Sequence, residues 1–574
     1  SRVFAAMDAT QQRRNRTQIA LSLLGIEKDT SQLQQTKALK ALDYICLIIV
    51  CTGAGYFATI QGFDSLPLNA DALAPFEEAK SFISNPKTDL FSIHVSRIAS
   101  IFPDLTINAL LQLIFPKAGF LEIFSLYAWC TSSLFILLAT LLTNTIKGGK
   151  RLLTADSTKI SLITILLLNI SHPFNITYSH FITPVHHGGN VLNTLLILTL
   201  AVRSLRLPSE AGINILLSGL TVLAILSNKV AIFTAVAPSA MIFLAFESGV
   251  QRRNHLITLV MATSIGIWIG NLFNAQCATP GFDLLETLSA FQQYFQISWI
   301  TSASALFSAA SIIYAIKSTR SRSELPLQTS AGLVAISMSS LSYFIYLPML
   351  PSRGEAPLRY ICIAYALITV FLVFYINKFG AKRSAIALLL IVVATLVSFQ
   401  YPDRPKINVE SHRSLKQELL DRSDRIEPFK NDAANFIHQM GYNSYLGLGD
   451  YWMSGATLAS NSKIEIIPIK RDGRPDFWGA TPQDVRRQIK SLSQDKTYLL
   501  TDEDRFEKTF EKEYGAPIKT WNYDSEERKF TTESIKTDQR IQIFDNPDIY
   551  SKIRKHSEKF KRQCNRSLPI YRAR

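Results

Sequence analysis

Four of the nine histidines crowd into one stretch, Ser171–Asn190, as His172, His180, His186 and His187. Histidines this dense can ligate a metal ion with a carboxylate, or bind a substrate through neutral or cationic rings. No H-x-x-x-H or HExxH spacing occurs, so substrate binding at a site rim by His186 and His187 is favoured over a divalent metal. A second group is acidic: Asp64, Asp71, Glu77, Glu78, Asp89 and Asp104 all fall within residues 61–119. Asp71 precedes Pro75 and Asp104 precedes the apolar stretch Leu105–Phe115, so each can cap a helix. Each can equally be a general base that takes a proton from an acceptor hydroxyl. A third group is cationic. Lys229 sits in the turn Ser227-Asn228-Lys229, and Arg353 and Arg359 flank Glu355 in PSRGEAPLRY. These side chains either snorkel to the headgroups or hold a phosphate, arginine through two parallel hydrogen bonds and lysine as a point charge. Together they would form a phosphate-binding rim opposite the acidic stretch.

The elements that must position these residues follow from composition. The chain has 574 residues, 48% of them hydrophobic and only 18% charged, with a mean hydropathy of +0.14. Soluble chains carry about 25% charged residues. The shortage is local: residues 401–574 hold 32 of the 60 Lys/Arg and 27 of the 45 Asp/Glu. The sequence therefore predicts a polytopic α-helical membrane protein with a soluble tail, and excludes a purely soluble, disordered or fibrous chain. Apolar stretches of membrane-spanning length predict about 11 transmembrane helices, near 41–60, 120–146, 157–172, 190–205, 212–227, 231–248, 255–273, 297–317, 331–349, 358–377 and 384–400. Clusters such as Lys147–Arg151, Arg203–Arg206, Arg252–Arg253, Lys317–Arg322 and Lys378–Arg383 all fall on one side under strict alternation. The positive-inside rule makes that side cytoplasmic and absorbs much of the net charge of +15, so no nucleic acid is expected as a partner.

Three regions result: a cytoplasmic segment 1–40, a transmembrane region 41–400 with a long first periplasmic loop 61–119, and a periplasmic α/β domain 401–574. Residues 1–40 carry no short apolar run with a small-residue cleavage site. Within the loop, Asp71–Phe82 and Leu105–Phe115 are amphipathic and suited to lie along a membrane surface. In the tail, a helix is expected over Lys430–Met440 and another from Thr481-Pro482 to about Leu492. Strands are expected over Ser444–Leu448, Ile464–Ile469, Tyr498–Thr501 and Ile541–Phe544. The six cysteines form no C-x-x-C; a Cys277–Cys564 disulfide is the one pairing outside the spans.

This pattern resembles the GT-C superfamily of membrane glycosyltransferases, close in architecture to the aminoarabinose transferases. Asn69-Ala70-Asp71-Ala72-Leu73, Phe102-Pro103-Asp104-Leu105, His186-His187-Gly188-Gly189 and Gly449-Asp450-Tyr451-Trp452 look like segments of uncharacterised bacterial members. The resemblance implies transfer of a hexosyl or pentosyl group from a polyprenyl-phosphate donor to a glycan or lipid acceptor at the periplasmic face of a bacterial inner membrane. Asp71 would be the catalytic carboxylate, with Asp64 and Asp104 in reserve. Lys229, Arg353 and Arg359 would hold the departing phosphate, and Glu78, Tyr451 and Trp452 would line the substrate site. Transfer would invert the anomeric centre, and the single-carboxylate scheme needs no metal, a divalent ion being the disfavoured alternative. The first loop lacks the adjacent Asp-Glu pair of several families of the group, and the tail lacks the Trp-Trp-Asp signature of its oligosaccharyltransferases.

Other classes predict other features. A polysaccharide polymerase or ligase predicts a larger loop between late spans. A transporter predicts repeats and charges at mid-membrane. Neither occurs. An assembly scaffold is left open by the tail, which carries no P-loop, dinucleotide fingerprint or zinc spacing.

Overall fold

In the computed structural model, the described residues are 44–53, 55–56, 75–76, 78–80, 83, 100–148, 157–170, 188–205, 211–273, 313, 327–346, 367, 369–374, 376, 428–449, 466–469, 496–501 and 504–556. The expected boundaries at 40 and 400 lie outside them, as do the helix 481–492, the span 384–400 and both ends of the Cys277–Cys564 pairing.

Helices fill the first part of the chain: α1 (Tyr44–Gly53), α2 (Thr106–Ile114), α3 (Phe120–Ile146), α4 (Ser157–Ile170), α5 (Gly188–Ser204) and α6 (Ala211–Ser227). They are followed by α7 (Ala237–Phe246), α8 (Gly249–Phe273) and α9 (Leu327–Tyr346). Among the described residues one helix, Glu122–Ile146 within α3, is long and apolar enough to cross a membrane, and five further apolar helices are of 10–17 residues. The described residues do not show the expected eleven spans.

Lipid as the surrounding solvent is supported by the polarity of the helices. Ile49, Ile215, Val260 and Trp268 point outward with 60–70% of their surface exposed. Thr140, Ser161, Thr194, Thr234 and Ser339 are fully buried. In water the apolar groups would be inside; in a bilayer, hydroxyl contacts and small residues hold helices together. Thr140 and Ser161 join α3 to α4 through hydroxyls 2.8 Å apart. Thr329 Oγ1 donates to the Ile146 carbonyl at 2.7 Å, where Gly332 lies so close to Ile146 that a Cβ would collide with it. Glu247, following α7, meets His255 Nδ1 of α8 at 2.8 Å, with Phe243 stacked on the imidazole at 4.6 Å.

The tail forms a six-stranded sheet of order β2-β1-β3-β6-β4-β5. Its strands are β1 (Leu446–Gly449), β2 (Ile466–Pro468), β3 (Thr497–Thr501), β4 (Lys519–Asp524), β5 (Lys529–Thr531) and β6 (Arg540–Phe544). β1 runs parallel to β2 and β3, and the remaining pairings are antiparallel. Tyr498 and Leu500 face α10 (Pro428–Gln439), packing with Phe429, Ala433 and Ile437. Leu499 faces the opposite layer, formed by Phe510 and Tyr514 of α11 (Asp504–Tyr514) and by Ile549 and Ile553. Apolar residues on both faces are what a sheet covered on both sides requires. The expected helix over Lys430–Met440 and the four strands are present with ends shifted by at most two residues. β4, β5 and α11 were not expected, because KTWNYD and KFT are short and polar and DRFEKTFEKEY is mostly charged.

A polar clamp ties α10 to the β4–β5 edge. Tyr523 donates to Asp432 Oδ2 at 2.6 Å, and Arg528 holds both oxygens of that carboxylate at 3.0 Å. Burial, then the Asp432 charge, pushes the Tyr523 phenol from 10.0 up to about 12. The unfolded chain therefore loses this proton first as pH rises, and the associated stability, complete below pH 10, is lost between pH 10 and about 12. Hydrogen exchange of the β4 and β5 amides should accelerate over that window in the native protein, and Tyr523→Phe should remove that step.

Candidate functional site

The segment Ser100–Leu105 lies in a crevice between α3, α5 and α6, and its own sequence explains its shape. Phe102 has extended backbone angles (φ −128°, ψ 129°) and Pro103 follows as the first residue of a helical turn that continues into α2. Asp104 thus lies in the first turn of a helix, where the aligned peptide dipoles favour a negative charge. Sequence offered it as a cap ahead of α2. Because the helical turn already begins at Pro103, Asp104 is inside it, and its side chain turns into the bundle, 3% exposed.

Each neighbouring helix holds this segment. From α3, the Tyr127 hydroxyl, itself fully buried, donates to Asp104 Oδ1. From α5, Asn193 Nδ2 donates to the Phe102 carbonyl at 2.9 Å. Gly189, at the start of α5, faces the carboxylate directly: a Cβ there would lie 2.6 Å and 2.8 Å from its two oxygens and 2.8 Å from Pro103 Cδ. From α6, the Ser227 carbonyl accepts the Ser100 N–H at 3.0 Å and Ser227 Oγ accepts the Phe102 N–H at 2.6 Å. Within the segment, Asn108 Nδ2 closes on the Asp104 carbonyl at 3.0 Å.

Three stretches singled out for their chemistry therefore meet: Phe102-Pro103-Asp104-Leu105, the glycine pair after His186-His187, and Ser227-Asn228-Lys229. The turn carrying Lys229 is fixed by Ser227 and by Asn228 Oδ1, which accepts the Val230 N–H at 3.0 Å; Lys229 itself is exposed. Behind the carboxylate, a buried polar row continues inward. Asn190 Nδ2 reaches Thr234 Oγ1 at 3.4 Å, Thr194 lies 3.1 Å from the same hydroxyl, and Ser339 donates to the Thr234 carbonyl. Thr234 belongs to the widened helical turn Ile232–Val236, a geometry that recurs at functional sites.

Glu78 is half-buried in the helical residues 78–80. Two residues before it, the Phe76 carbonyl accepts Gln112 Nε2 of α2 at 2.9 Å, and the Phe76 ring meets Phe120 of α3 edge-on at 5.4 Å. Phe76, Leu111, Ile123 and Tyr127 form one small core, so part of the acidic stretch docks beside the Asp104 segment. Asp64, Asp71, His186, His187, Arg353, Arg359, Tyr451 and Trp452 lie outside the described residues. Among the described residues no group of three or more His, Cys, Asp or Glu side chains could hold a metal ion.

Sequence reasoning passed over Tyr127, Asn193 and the close approach at Gly189. Only Tyr127 carried a usable signal: a tyrosine deep within an apolar helix needs a partner for its hydroxyl, and a buried carboxylate is a strong acceptor.

No protein-family model matches the chain, and no curated protein matches it. Among solved structures, the oligosaccharyltransferase of Archaeoglobus fulgidus, crystallised as a complex with Zn and sulfate, is similar at a TM-score of 0.39 and 12% identity over 84% of this chain and 72% of that one. A TM-score that low fixes neither fold nor function.

Because Ser227 Oγ accepts a part-buried N–H, Ser227→Ala should leave the Phe102 amide unpaired and cost about 1–3 kcal/mol. Thermal denaturation of the detergent-solubilised protein should register that loss as a lower midpoint.

Proposed function

We propose that this chain is a membrane glycosyltransferase of GT-C type, moving a hexosyl or pentosyl group from a polyprenyl-phosphate donor to a glycan or lipid acceptor. The observation that carries the reading is the meeting of the Asp104 segment, the start of α5 and the Lys229 turn at one end of the helices. Asp104 and two positions 85 and 123 residues further along the chain, Gly189 and Ser227, share one neighbourhood there. The motif resemblance and the outward apolar surface agree with a lipid-linked donor.

In this reading the acceptor hydroxyl gives its proton to a first-loop carboxylate as its oxygen attacks the anomeric carbon. The bond from that carbon to the phosphate oxygen breaks with its electron pair, releasing polyprenyl phosphate with inversion. Lys229, Arg353 and Arg359 stabilise the charge that develops on the phosphate. A general base must come within about 3 Å of the hydroxyl it serves. Asp71 is assigned the base from the motif resemblance, with Asp64 second; the burial of Asp104 against Tyr127 and Gly189 supports giving it another role. His186, His187 and Glu78 lie at the rim, and Tyr451 and Trp452 of the tail supply aromatic surface for a sugar ring. The reaction needs no metal in this scheme. The site faces the periplasm of a bacterial inner membrane, with the region 401–574 on the same side and residues 1–40 in the cytoplasm.

The test is transfer of labelled sugar from polyprenyl-phosphate donors by purified protein. Asp71→Asn should reduce turnover by about 10²–10⁴-fold, the range of a lost general base. Lys229→Ala should raise the donor KM more than it lowers kcat. Full activity of Asp71→Asn would remove the assignment. Solute or lipid movement in liposomes without donor consumption would replace the enzyme with a transporter.

A further inference from the structure

We propose that Asp104, Tyr127 and Gly189 form a latch that positions the donor-phosphate turn, so that Asp104 is a positioning residue rather than the catalytic carboxylate. This deepens the glycosyltransferase reading and rests on it for its consequence in turnover. The latch is built from groups with no free alternative. Tyr127 is fully buried in α3, and its hydroxyl is spent on Asp104 Oδ1. The carboxylate fills the space that a side chain at position 189 would need. The same six-residue segment then supplies the Ser100 and Phe102 N–H groups that hold Ser227, two residues before Lys229. Ser100 holds a left-handed backbone (φ 39°), a conformation that a serine adopts at a cost and that its neighbours must enforce. Releasing Asp104 therefore frees Ser100–Phe102 from Ser227 and lets the Lys229 turn drift. A side-chain latch needs an oxygen acceptor at position 104, whereas a base needs a titrating carboxylate. An asparagine supplies the first without the second, and that difference separates the two roles.

The experiment has two readouts on full-length protein. The first is ligand-free: Ser100→Cys, with the six native cysteines replaced, is labelled by a hydrophilic thiol reagent in native membranes. Ser100 is buried, so labelling should be slow in the parent and in Asp104→Asn, and at least about tenfold faster in Tyr127→Phe, Gly189→Ala and Asp104→Ala, as expected when the buried hydrogen bond to position 104 or its seat is lost. The second is donor kinetics. Asp104→Asn should stay within about fivefold of the parent, while Tyr127→Phe and Gly189→Ala raise the donor KM by about tenfold or more with kcat nearly kept, as expected when only the donor's seat is disturbed. Unchanged labelling in Tyr127→Phe and Gly189→Ala would overturn the latch. Faster labelling with an unchanged donor KM would overturn its positioning role. Loss of kcat in well-folded Asp104→Asn equal to that of Asp71→Asn would make Asp104 catalytic and overturn the proposal. Undiminished turnover in Asp71→Asn instead strikes the glycosyltransferase mechanism, and the labelling still decides the latch.

Discussion

A carboxyl side chain buried in a bundle with an apolar exterior needs partners in place of water, and the burial of Asp104 sets the terms for the rest of this structure. Its carboxylate lies in the first turn of a helix, accepts the Tyr127 hydroxyl and occupies the gap left by Gly189. None of these supports comes from the same helix as another. Satisfying one carboxylate therefore ties the helix after Pro103, α3 and the start of α5 together, and the backbone of the same segment adds α6 through Ser227. Leaving a buried polar group without its partner costs about 1–3 kcal/mol, so the loss of one support bears on the whole junction.

In the proposed transfer, charge would move from an acceptor oxygen to a departing phosphate. A base and a cationic rim are effective only if held at a fixed separation. The junction joins the stretch bearing the first-loop carboxylates to the turn bearing Lys229. Phe76, in the same small core as Tyr127, extends it toward the residues that follow Asp71. The polar row from Asn190 through Thr234 to Ser339 continues the packing inward with hydroxyls where a soluble protein would use aliphatic groups.

Much of this was legible in the sequence, for reasons that differ by element. The helices α3, α5 and α6 announce themselves as apolar runs of 27, 17 and 17 residues. The central strands β1, β3 and β6 do so because a sheet covered on both faces needs unbroken apolar residues, as in Tyr498-Leu499-Leu500. The edge hairpin β4–β5 and the charged α11 were not legible: half their surface meets water, so little hydrophobic pattern is imposed on them. At the site, the types of residue were readable but their partners were not. Asp104 reads equally as a cap or a base, and the choice depends on Tyr127, Gly189 and Ser227, which lie 23, 85 and 123 positions away in sequence. A glycine pair after two histidines suggests a tight turn; that the second glycine seats a carboxylate follows only from the packing of α5 against the segment.

The central claim is that these converging stretches surround the donor phosphate. Photo-crosslinking with a polyprenyl phosphate bearing a diazirine near its headgroup, followed by peptide mapping, addresses it directly. The account predicts adducts in the peptides around residues 100–115, 186–194 and 227–236 together, suppressed by unlabelled polyprenyl phosphate. Specific adducts confined to the opposite end of the bundle, around Glu247–His255, would contradict it.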